Sequence, residues 1–295
     1  MTRPRAEDLE RPDCALCGTG PQTRERHAFP PFAVVACAKC SLVFLSPRLV
    51  EARMMELYQE AAYWDSEVAG QGYDEYLDVR GNWLRTFRRR LREIGRHQGK
   101  GRVLDVGCGP GFFVEAAREA GWDAWGIDPS AYAVSLARRA LGERVSVGVV
   151  EASGHPPGSF DLVTAFDAFE HVYEPRRFLD AAHALLRPGG VLAITTPDVT
   201  SLLARVSGRG WVSFKIPEHV YYWSPATIRQ ALAGRFDVLE VRGAGQYATT
   251  GFLLRRALRL SSRSASWLRR VADGLGGVSV YTNNGSLTAI ARRRG

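Results

Sequence analysis

The stretch that decides the fold runs from Val103 to Gly111 and reads VLDVGCGPG. It is a short apolar strand that ends in three glycines, and a helical pattern begins directly after it. Glycines at the end of a strand let a ligand approach the backbone. The spacing is G-x-G-x-G, whereas dinucleotide enzymes place G-x-G-x-x-G after their first strand. The stretch therefore predicts a ligand-binding loop that is not of the dinucleotide kind.

Two carboxylates near this loop indicate the chemistry of the ligand. Asp105 lies inside the strand, where it can attract or orient a cationic group, and pyrophosphate is not cationic. Asp128 ends the next apolar strand in the run Gly126-Ile-Asp-Pro-Ser130 and is placed to accept both hydroxyls of a ribose. A cation joined to a ribose indicates S-adenosylmethionine as the ligand.

The chain from residue 101 onward alternates short apolar strands with helical segments, which is typical of an α/β protein with a parallel sheet covered on both faces. Helices are predicted at about 111–120, 130–141 and 175–186. The last of them is stopped by the run Arg187-Pro-Gly-Gly190. The predicted strands are, in order, Arg102–Val106, Ala124–Asp128, Val145–Val150, Leu162–Phe166, Val191–Thr195, Phe236–Val241 and Leu287–Arg292.

The run 101–197 resembles the class I S-adenosylmethionine-dependent methyltransferases, on the motifs VLDVGCGPG, WGIDPS, SFDLVTAFDAFEHVYEP and LLRPGGVLAITTP. The resemblance implies a seven-stranded Rossmann-like sheet in the order 3-2-1-4-5-7-6, with strand 7 antiparallel. It also implies that the glycine loop wraps the methionine part of the cofactor, while Cys108 within the loop is expected to be a small packing residue and not a nucleophile. The cofactor-binding residues implied are Asp105, Gly107, Cys108, Gly109, Gly111, Asp128, Pro129, Phe166 and Asp167.

Four of the five cysteines form two pairs near the start of the chain, Cys14-x2-Cys17 and Cys37-x2-Cys40. Two residues between paired cysteines let both thiolates of a knuckle meet one ion, and two knuckles complete a tetrahedral zinc shell. A shell of four thiolates leaves no position for water, so the zinc is expected to be structural. Two disulfides or four unrelated thiols are the alternatives.

The chain divides into three predicted units: a zinc ribbon over 1–48, a helical lid or linker over 49–98, and a methyltransferase domain over 99–295. The domain carries predicted insertions at about 198–224 and 244–285. The helical unit is rich in aromatic residues, which either pack it onto the domain or cover a ligand. These aromatic residues include Tyr63, Trp64, Tyr73, Tyr76 and Trp83.

A cysteine module followed by helices and this core resembles the zinc-containing C-methyltransferases of deoxysugar pathways. Those enzymes carry a Glu-His pair after strand five, and here Glu218 and His219 fall on it, although Ile216 replaces their tyrosine two residues earlier. The resemblance makes His219 the candidate general base, with Glu218 orienting its ring or binding a substrate hydroxyl. His171 is the rival base. A capping or packing role for His219, and a structural role for His171, stay open.

Charge and composition bear on partners. The chain has 295 residues with a net charge of +8, and all but three of its 39 basic residues are arginine. Six arginines and no acid lie within 252–272, a pattern typical of membrane or phosphate contact and equally of a solvated helix face. No apolar run approaches eighteen residues, and the basic start is not followed by an apolar stretch, so a cytoplasmic protein is expected.

These observations predict methyl transfer from S-adenosylmethionine to a hydroxyl or carbon of a small molecule, such as a sugar or other secondary or cell-surface metabolite. The acceptor is expected to be free, phosphate-bearing or lipid-linked, with no stable nucleic-acid partner. One alternative is an rRNA or tRNA methyltransferase, but enzymes that methylate base amines carry an Asn/Asp-Pro-Pro-aromatic motif where this chain has Phe166-Asp-Ala-Phe169. The other alternative is a noncatalytic cofactor-binding scaffold.

Overall fold

A computed structural model describes residues 4–18, 20, 22–59, 80–250 and 278–295. These residues form a mixed α/β fold, and the predicted seven-stranded sheet is confirmed. The seven strands of this central sheet are β6 (Arg102–Val106), β7 (Asp123–Asp128), β8 (Val145–Val147), β9 (Phe160–Phe166), β10 (Leu186–Pro197), β12 (Phe236–Thr249) and β13 (Ser279–Arg293).

The central sheet has the order β8-β7-β6-β9-β10-β13-β12, in which β13 runs antiparallel to both of its neighbours. The other neighbouring strands of the sheet, from β8 to β10, pair in parallel. The carboxyl ends of β6, β7 and β9 therefore lie at the same edge of the sheet. Ligands bind at this edge of an open parallel sheet. The third predicted strand is shorter than expected, because a 3-10 turn over Val150–Ala152 replaces its end.

Two layers of helices cover the sheet. Successive strand residues point to opposite faces, so Val103 packs with α2 and α3 while Leu104 packs with the layer of α5 and α7. The described helices are α1 (Glu51–Gln59), α2 (Arg80–Ile94), α3 (Phe112–Glu119), α4 (Ala131–Leu141), α5 (Pro175–Leu185), α6 (Leu202–Ser207) and α7 (Pro225–Leu232).

The N-terminal part of the chain builds a second sheet, of four strands. Its strands β2 (Thr23–Phe29), β3 (Phe32–Cys37) and β4 (Val43–Leu45) form an antiparallel meander. The fourth strand, β11 (Tyr221–Tyr222), comes from the part of the chain that builds the central sheet, and it pairs with β4. The N-terminal module and the domain therefore share a sheet.

A buried arginine reinforces this junction. Arg48 lies in β5 (Arg48–Leu49), which pairs with β1 (Leu9–Glu10), and its side chain bonds Glu10 at 2.7 Å. The same guanidinium donates to the Tyr221 hydroxyl at 3.2 Å and lies 4.3 Å from the centre of the Tyr173 ring. A buried arginine needs such partners to offset its lost hydration, so Arg48 ties the N-terminal module to two segments of the domain.

The expected insertion at 244–285 differs in the structure. Strand β12 continues to Thr249 and β13 begins at Ser279, with Gly245 paired to Asn283 and Thr249 to Ser279. The two ends of the predicted insertion, 244–249 and 279–285, therefore extend the β12–β13 hairpin. The arginine-rich segment 252–272, like the aromatic residues of 63–76, lies outside the described residues.

Within the described ranges, no helix is both long enough and apolar enough to span a membrane.

Candidate active site

A cavity of about 620 Å³ opens at the carboxyl edge of the central sheet. This volume lies in the range of about 300–1,000 Å³ that is usual for small-molecule sites. One end is lined by the glycine loop and the end of β7, and the other by the segments around His171 and His219. The sequence-predicted residues that line it are Gly107, Gly109, Asp128, Pro129, Phe166, Asp167, His171 and His219.

The glycine loop leaves β6 in a left-handed backbone conformation that glycine adopts most readily. Gly107 has a φ of +74°, and a Cβ there would lie 2.6 Å from the Cβ of Ala168. Gly111 caps α3 at a φ of +83° and does not line the cavity. The glycines therefore serve two purposes, because Gly107 and Gly109 expose backbone to the cavity and Gly111 lets the loop enter α3.

Asp128 fixes the loop as well as facing the cavity. One carboxylate oxygen accepts the backbone N–H of Gly109 at 2.8 Å, and the other accepts that of Ser130 at 2.8 Å. Burial raises the pKa of Asp128 to about 6. Each oxygen keeps a second lone pair, so the carboxylate can still accept a pair of ligand hydroxyls. Its role as a ribose ligand stays a prediction, to which the structure adds the anchoring of the loop.

Asp105 and Cys108 lie behind the loop, and neither lines the cavity. Asp105 is buried and accepts the Thr164 hydroxyl at 2.6 Å, and burial raises the pKa of its carboxyl to about 7. Cys108 is buried, and a Cβ at Gly126 would lie 2.8 Å from its sulfur. This contact agrees with the packing role expected for Cys108. Both residues were predicted to contact the cofactor directly, but neither side chain lies at the cavity wall.

The end of β9 lies between the two ends of the cavity. Asp167 has a φ of +54°, a conformation that aspartate tolerates better than most residues. Its backbone N–H donates to the Thr195 carbonyl at 2.8 Å, which fixes the turn. The buried guanidinium of Arg90 lies 4.8 Å from the centre of the Phe166 ring and 3.4 Å from the Asp167 carboxylate. This arrangement holds Phe166 and Asp167 at the cavity wall.

Three polar side chains converge at the far end of the cavity. Glu170, His171 and His219 each offer an atom to a cluster whose members all lie within 4.8 Å of one another. The two imidazole rings meet edge to face with centroids 4.6 Å apart. Among the described residues, neither Oε2 of Glu170 nor Nδ1 of His219 has a hydrogen-bond partner, although both atoms are buried. Buried polar atoms without partners commonly mark a place where a ligand binds.

The cluster is electrically unusual. Burial, and after it the Lys215 ammonium, lowers the pKa of His171 to about 3. Burial, and after it His171, holds the pKa of His219 well below its usual range. Burial and the Asp167 carboxylate raise the pKa of Glu170 to about 8. Both imidazoles are therefore neutral near pH 7, so each keeps a ring-nitrogen lone pair that can accept a hydrogen bond or bind a cation.

Glu218 does not take the place that the motif predicts. It is buried but does not line the cavity, and its backbone carbonyl accepts a hydrogen bond from Nδ1 of His171 at 3.1 Å. Glu170 lies beside the two histidines instead. Sequence reasoning missed Glu170, although the acid directly before His171 in the run FEHV was a signal for it.

The four paired cysteines converge as the spacing predicts. Sγ of Cys14 lies 3.4 Å from that of Cys40, and Sγ of Cys17 lies 3.5 Å from that of Cys37. These separations exceed the S–S bond length of about 2.05 Å, and the cysteines are free thiols. Backbone amides of Leu16 and Cys17 bond the Cys14 sulfur. The four sulfurs form a cluster of the size and shape that one metal ion needs.

Helix α1 closes part of the cavity. Met54, Met55 and Tyr58 line it from this helix, and the Tyr58 hydroxyl lies 2.8 Å from Nδ1 of His171. Trp83 of α2 also lines it and stacks on Phe87 with centroids 5.7 Å apart. Tyr58 and Trp83 thus line the cavity, and Trp83 also packs within the domain core. Whether the aromatic residues cover a ligand stays a prediction.

Comparison with known proteins places this geometry in context. Residues 73–239 match a family of methyltransferase domains. A ubiquinone biosynthesis O-methyltransferase from Bordetella avium is 34% identical over 165 residues, which are 53% of this chain and 66% of that protein. The protein of the same name from Thiobacillus denitrificans is 30% identical over 209 residues, which are 66% of this chain and 87% of that protein.

Solved structures agree at the level of the fold. The crystal structure of a SAM-dependent methyltransferase from Archaeoglobus fulgidus superimposes with a TM-score of 0.52 at 20% identity, over 75% of this chain and 99% of that one. A SAM-dependent methyltransferase from Thermotoga maritima, described as a possible histamine N-methyltransferase, gives a TM-score of 0.50 at 16% identity, over 75% of this chain and 95% of that one.

Proposed function

Because the chain belongs to the class I S-adenosylmethionine-dependent methyltransferases, we propose that it transfers the methyl group of that cofactor to a hydroxyl of a small molecule. The observation that carries the proposal is one continuous cavity. It joins a cofactor end, at Gly107 and Asp128, to an acceptor end, at Glu170, His171 and His219. A methyl donor and its acceptor must meet in one such space.

The acceptor end favours an oxygen nucleophile. Methyl transfer is an in-line displacement at a sulfonium carbon, so alignment of the two reactants supplies much of the rate. A hydroxyl also has to lose its proton, and His219 is buried, neutral and lines the cavity. We assign His219 as the group that accepts this proton, a contribution of about 10²–10⁴ in rate. The two relatives reported above are named O-methyltransferases, which supports a hydroxyl as the acceptor.

Mixed apolar and polar groups line the acceptor end. Val172 and Phe178 contribute apolar surface, while Arg177 and Lys215 contribute positive charge. This lining suits an acceptor with an apolar body and an anionic or hydroxylated part, whether a sugar derivative or a ring compound. A carbon acceptor, as in deoxysugar C-methylation, would use the same cavity.

We also propose that the four-cysteine cluster holds one structural zinc ion. The sulfur positions and the amide bonds to Cys14 support it, and a shell of four thiolates leaves no open position for chemistry. Metal analysis of protein purified without chelator should give one zinc per chain, whereas less than about half an equivalent would contradict the proposal.

The function is tested by direct assay. Calorimetry with S-adenosylhomocysteine should show one site per chain. Labelled S-adenosylmethionine should then pass its methyl group to at least one member of a panel of nucleotide sugars and ring compounds with adjacent hydroxyls. Methylation of total RNA together with failure on the whole panel would overturn the small-molecule assignment.

A further inference from the structure

The acceptor end contains two histidines and one carboxylate. Proton transfer from the acceptor needs only one of these three side chains. Glu170 and His171 are consecutive residues in a 3-10 turn over Phe169–His171, and His219 faces them from the segment before β11. Their ligand atoms lie within 4.8 Å of one another. We propose that Glu170, His171 and His219 form a second metal site, for one divalent first-row transition-metal cation.

The orphaned buried atoms support this site. Glu170 is 2% exposed and His219 is 4% exposed. No atom in the described part of the chain makes a close hydrogen bond to Oε2 of Glu170 or to Nδ1 of His219, although the Thr196 hydroxyl lies near the Glu170 carboxyl. A buried carboxylate oxygen and a buried imidazole nitrogen in this state each carry a substantial desolvation cost. A cation between them would satisfy both.

The third ligand is oriented as metal-binding histidines usually are. Nδ1 of His171 lies 3.1 Å from the Glu218 carbonyl and 2.8 Å from the Tyr58 hydroxyl. The carbonyl can only accept, so both contacts are satisfied at once when Nδ1 carries the proton and shares it between the two oxygens. Nε2 then carries the free lone pair. A ligating histidine commonly donates its other ring N–H to a carbonyl in this way, which fixes its tautomer and direction.

The backbone around the three residues is braced. The N–H of Val220 donates to the Glu170 carbonyl at 3.0 Å, and the N–H of His219 donates to the Lys215 carbonyl at 2.9 Å. The first bond joins the two segments that carry the ligands, and the second fixes the turn that carries His219. The positions are therefore set before a cation binds, which reduces the cost of assembling the site.

The donor chemistry selects the class of cation. Two imidazoles and one carboxylate suit zinc, iron, cobalt, nickel or manganese better than calcium. The Asp167 carboxylate nearby favours a cation, while the Lys215 ammonium opposes it. Three protein ligands leave coordination positions open, and these would face the cavity.

The proposed site refines the acceptor, and in this respect it rests on the proposed function. A cation with open positions binds two adjacent oxygens of a diol. It also lowers the pKa of a bound hydroxyl, so that the proton passes to water and the oxygen is left as the nucleophile. In the metal-free site His219 accepts the proton itself, and with the cation bound it acts as a ligand, so in both cases it serves the hydroxyl of the acceptor. The preferred acceptor class is a compound with hydroxyls on neighbouring carbons.

Cobalt tests the site without cofactor or acceptor, so the result is independent of whether methyl transfer is ever observed. Full-length protein with zinc at its cysteines is titrated with Co²⁺. One further equivalent should bind and give visible d–d bands without the near-ultraviolet charge-transfer band of a cobalt thiolate. Glu170→Gln and His171→Gln should each weaken this binding at least tenfold. His155→Gln should leave it unchanged, because His155 contacts Trp125 and Phe160 away from the cluster.

A second measurement keeps the test decisive if a variant fails to fold. In the wild-type protein, bound Co²⁺ should shift the proton NMR signals of two histidine rings, including the exchangeable N–H of His171. Thiolate charge transfer alone, absence of shifted histidine signals, or full cobalt affinity in folded Glu170→Gln would each overturn the site. The unpartnered atoms would then be interpreted as hydrogen-bonding groups for the acceptor itself.

Discussion

Asp128 fixes the glycine loop and is proposed to bind the cofactor, so its substitution should affect cofactor binding strongly. Asp128→Asn removes the charge that is placed to accept two ribose hydroxyls, and a hydrogen bond to a charged group contributes about 1.5–3 kcal/mol. We expect the affinity for S-adenosylhomocysteine, measured by calorimetry, to fall at least tenfold. Asp123→Asn is the matched control, because Asp123 lies at the exposed start of the same strand. Equal affinity in folded Asp128→Asn would show that the ribose is bound elsewhere.

The same carboxyl makes stability depend on pH. Burial raises its pKa to about 6 from an ordinary value of 3.8. The folded state therefore retains the proton longer than the unfolded chain, and the stability gained from it is present below pH 3.8 and lost as the pH rises through 6. Asparagine does not titrate. Urea unfolding without cofactor should show Asp128→Asn gaining stability relative to wild type between about pH 4 and 6, and a constant difference would contradict the shift.

His219 is expected to act on the acceptor and not on the cofactor. His219→Ala should lower turnover by about 10²–10⁴ and leave the affinity for S-adenosylhomocysteine within about threefold, because its ring packs against His171 whereas Asp128 fixes the glycine loop. Kinetics with any accepted substrate, paired with calorimetry, measures the split. His183→Ala is the control, since His183 bonds the Arg294 carbonyl outside the cavity. Parallel losses of turnover and cofactor affinity would assign His219 to structure.

Alanine substitutions at Gly107 and Gly109 allow the cost of an unfavourable backbone conformation to be distinguished from the cost of steric crowding. Both have positive φ, so an alanine at either position costs about 1–2 kcal/mol. Only at Gly107 would the added Cβ meet another atom, the Cβ of Ala168 at 2.6 Å, while nothing lies within 4 Å at Gly109. Crowding should add about 1–3 kcal/mol. Thermal unfolding should therefore rank Gly107→Ala clearly below Gly109→Ala, and equal midpoints would argue against the tight turn.

At the scale of elements, strand β11 connects the cysteine cluster to the acceptor end. It pairs with β4 and begins two residues after His219 in the chain, whereas the glycine loop follows a strand of the central sheet. Cys37→Ser should thus reduce turnover by more than tenfold and leave S-adenosylhomocysteine affinity within about threefold. Zinc content and calorimetry on the same preparation measure both effects. A variant that loses zinc but keeps full turnover would show that β11 does not transmit the change.

The elements that the sequence predicted well are those specified by their own residues. Strand β6 has the predicted bounds, because its apolar run ends in the glycine loop. Strand β11 was not predicted, since two tyrosines form a strand only when β4 lies beside them. The ends of β12 and β13 were missed for the same reason, as each is polar by itself and is defined by pairing with the other. Local patterns do not report partners that are distant in the chain.

The site shows the same division. Asp128 and the glycine loop could be placed from spacing, because the end of a parallel strand has a fixed relation to its ligand. The replacement of Glu218 by Glu170 beside the histidines depends on how the turn after β9 meets the segment before β11. That meeting is set by hydrogen bonds such as Val220 to Glu170, which no local pattern reports.

At the scale of the whole molecule, one apolar core runs from the N-terminal module into the domain. Val35 and Phe44 of the module belong to the same buried cluster as Leu104 and Ile194 of the central sheet. We expect a single calorimetric unfolding transition for the zinc-loaded protein, because the module has this buried cluster in common with the domain. Removal of zinc with a chelator should lower that one midpoint. Two resolved transitions would show that the module folds as a separate unit.

The pairing of β4 with β11 also has a consequence for how such proteins can be recombined. A chimaera that takes residues up to Leu49 from a relative would meet a foreign Tyr221–Tyr222 strand and a foreign partner for Arg48. A crossover at the apparent boundary between module and domain should therefore give poorly folding hybrids. Exchange of 211–224 together with the module should restore folding. The N-terminal module and residues 211–224 are therefore expected to be exchanged together between relatives, although they are far apart in the sequence.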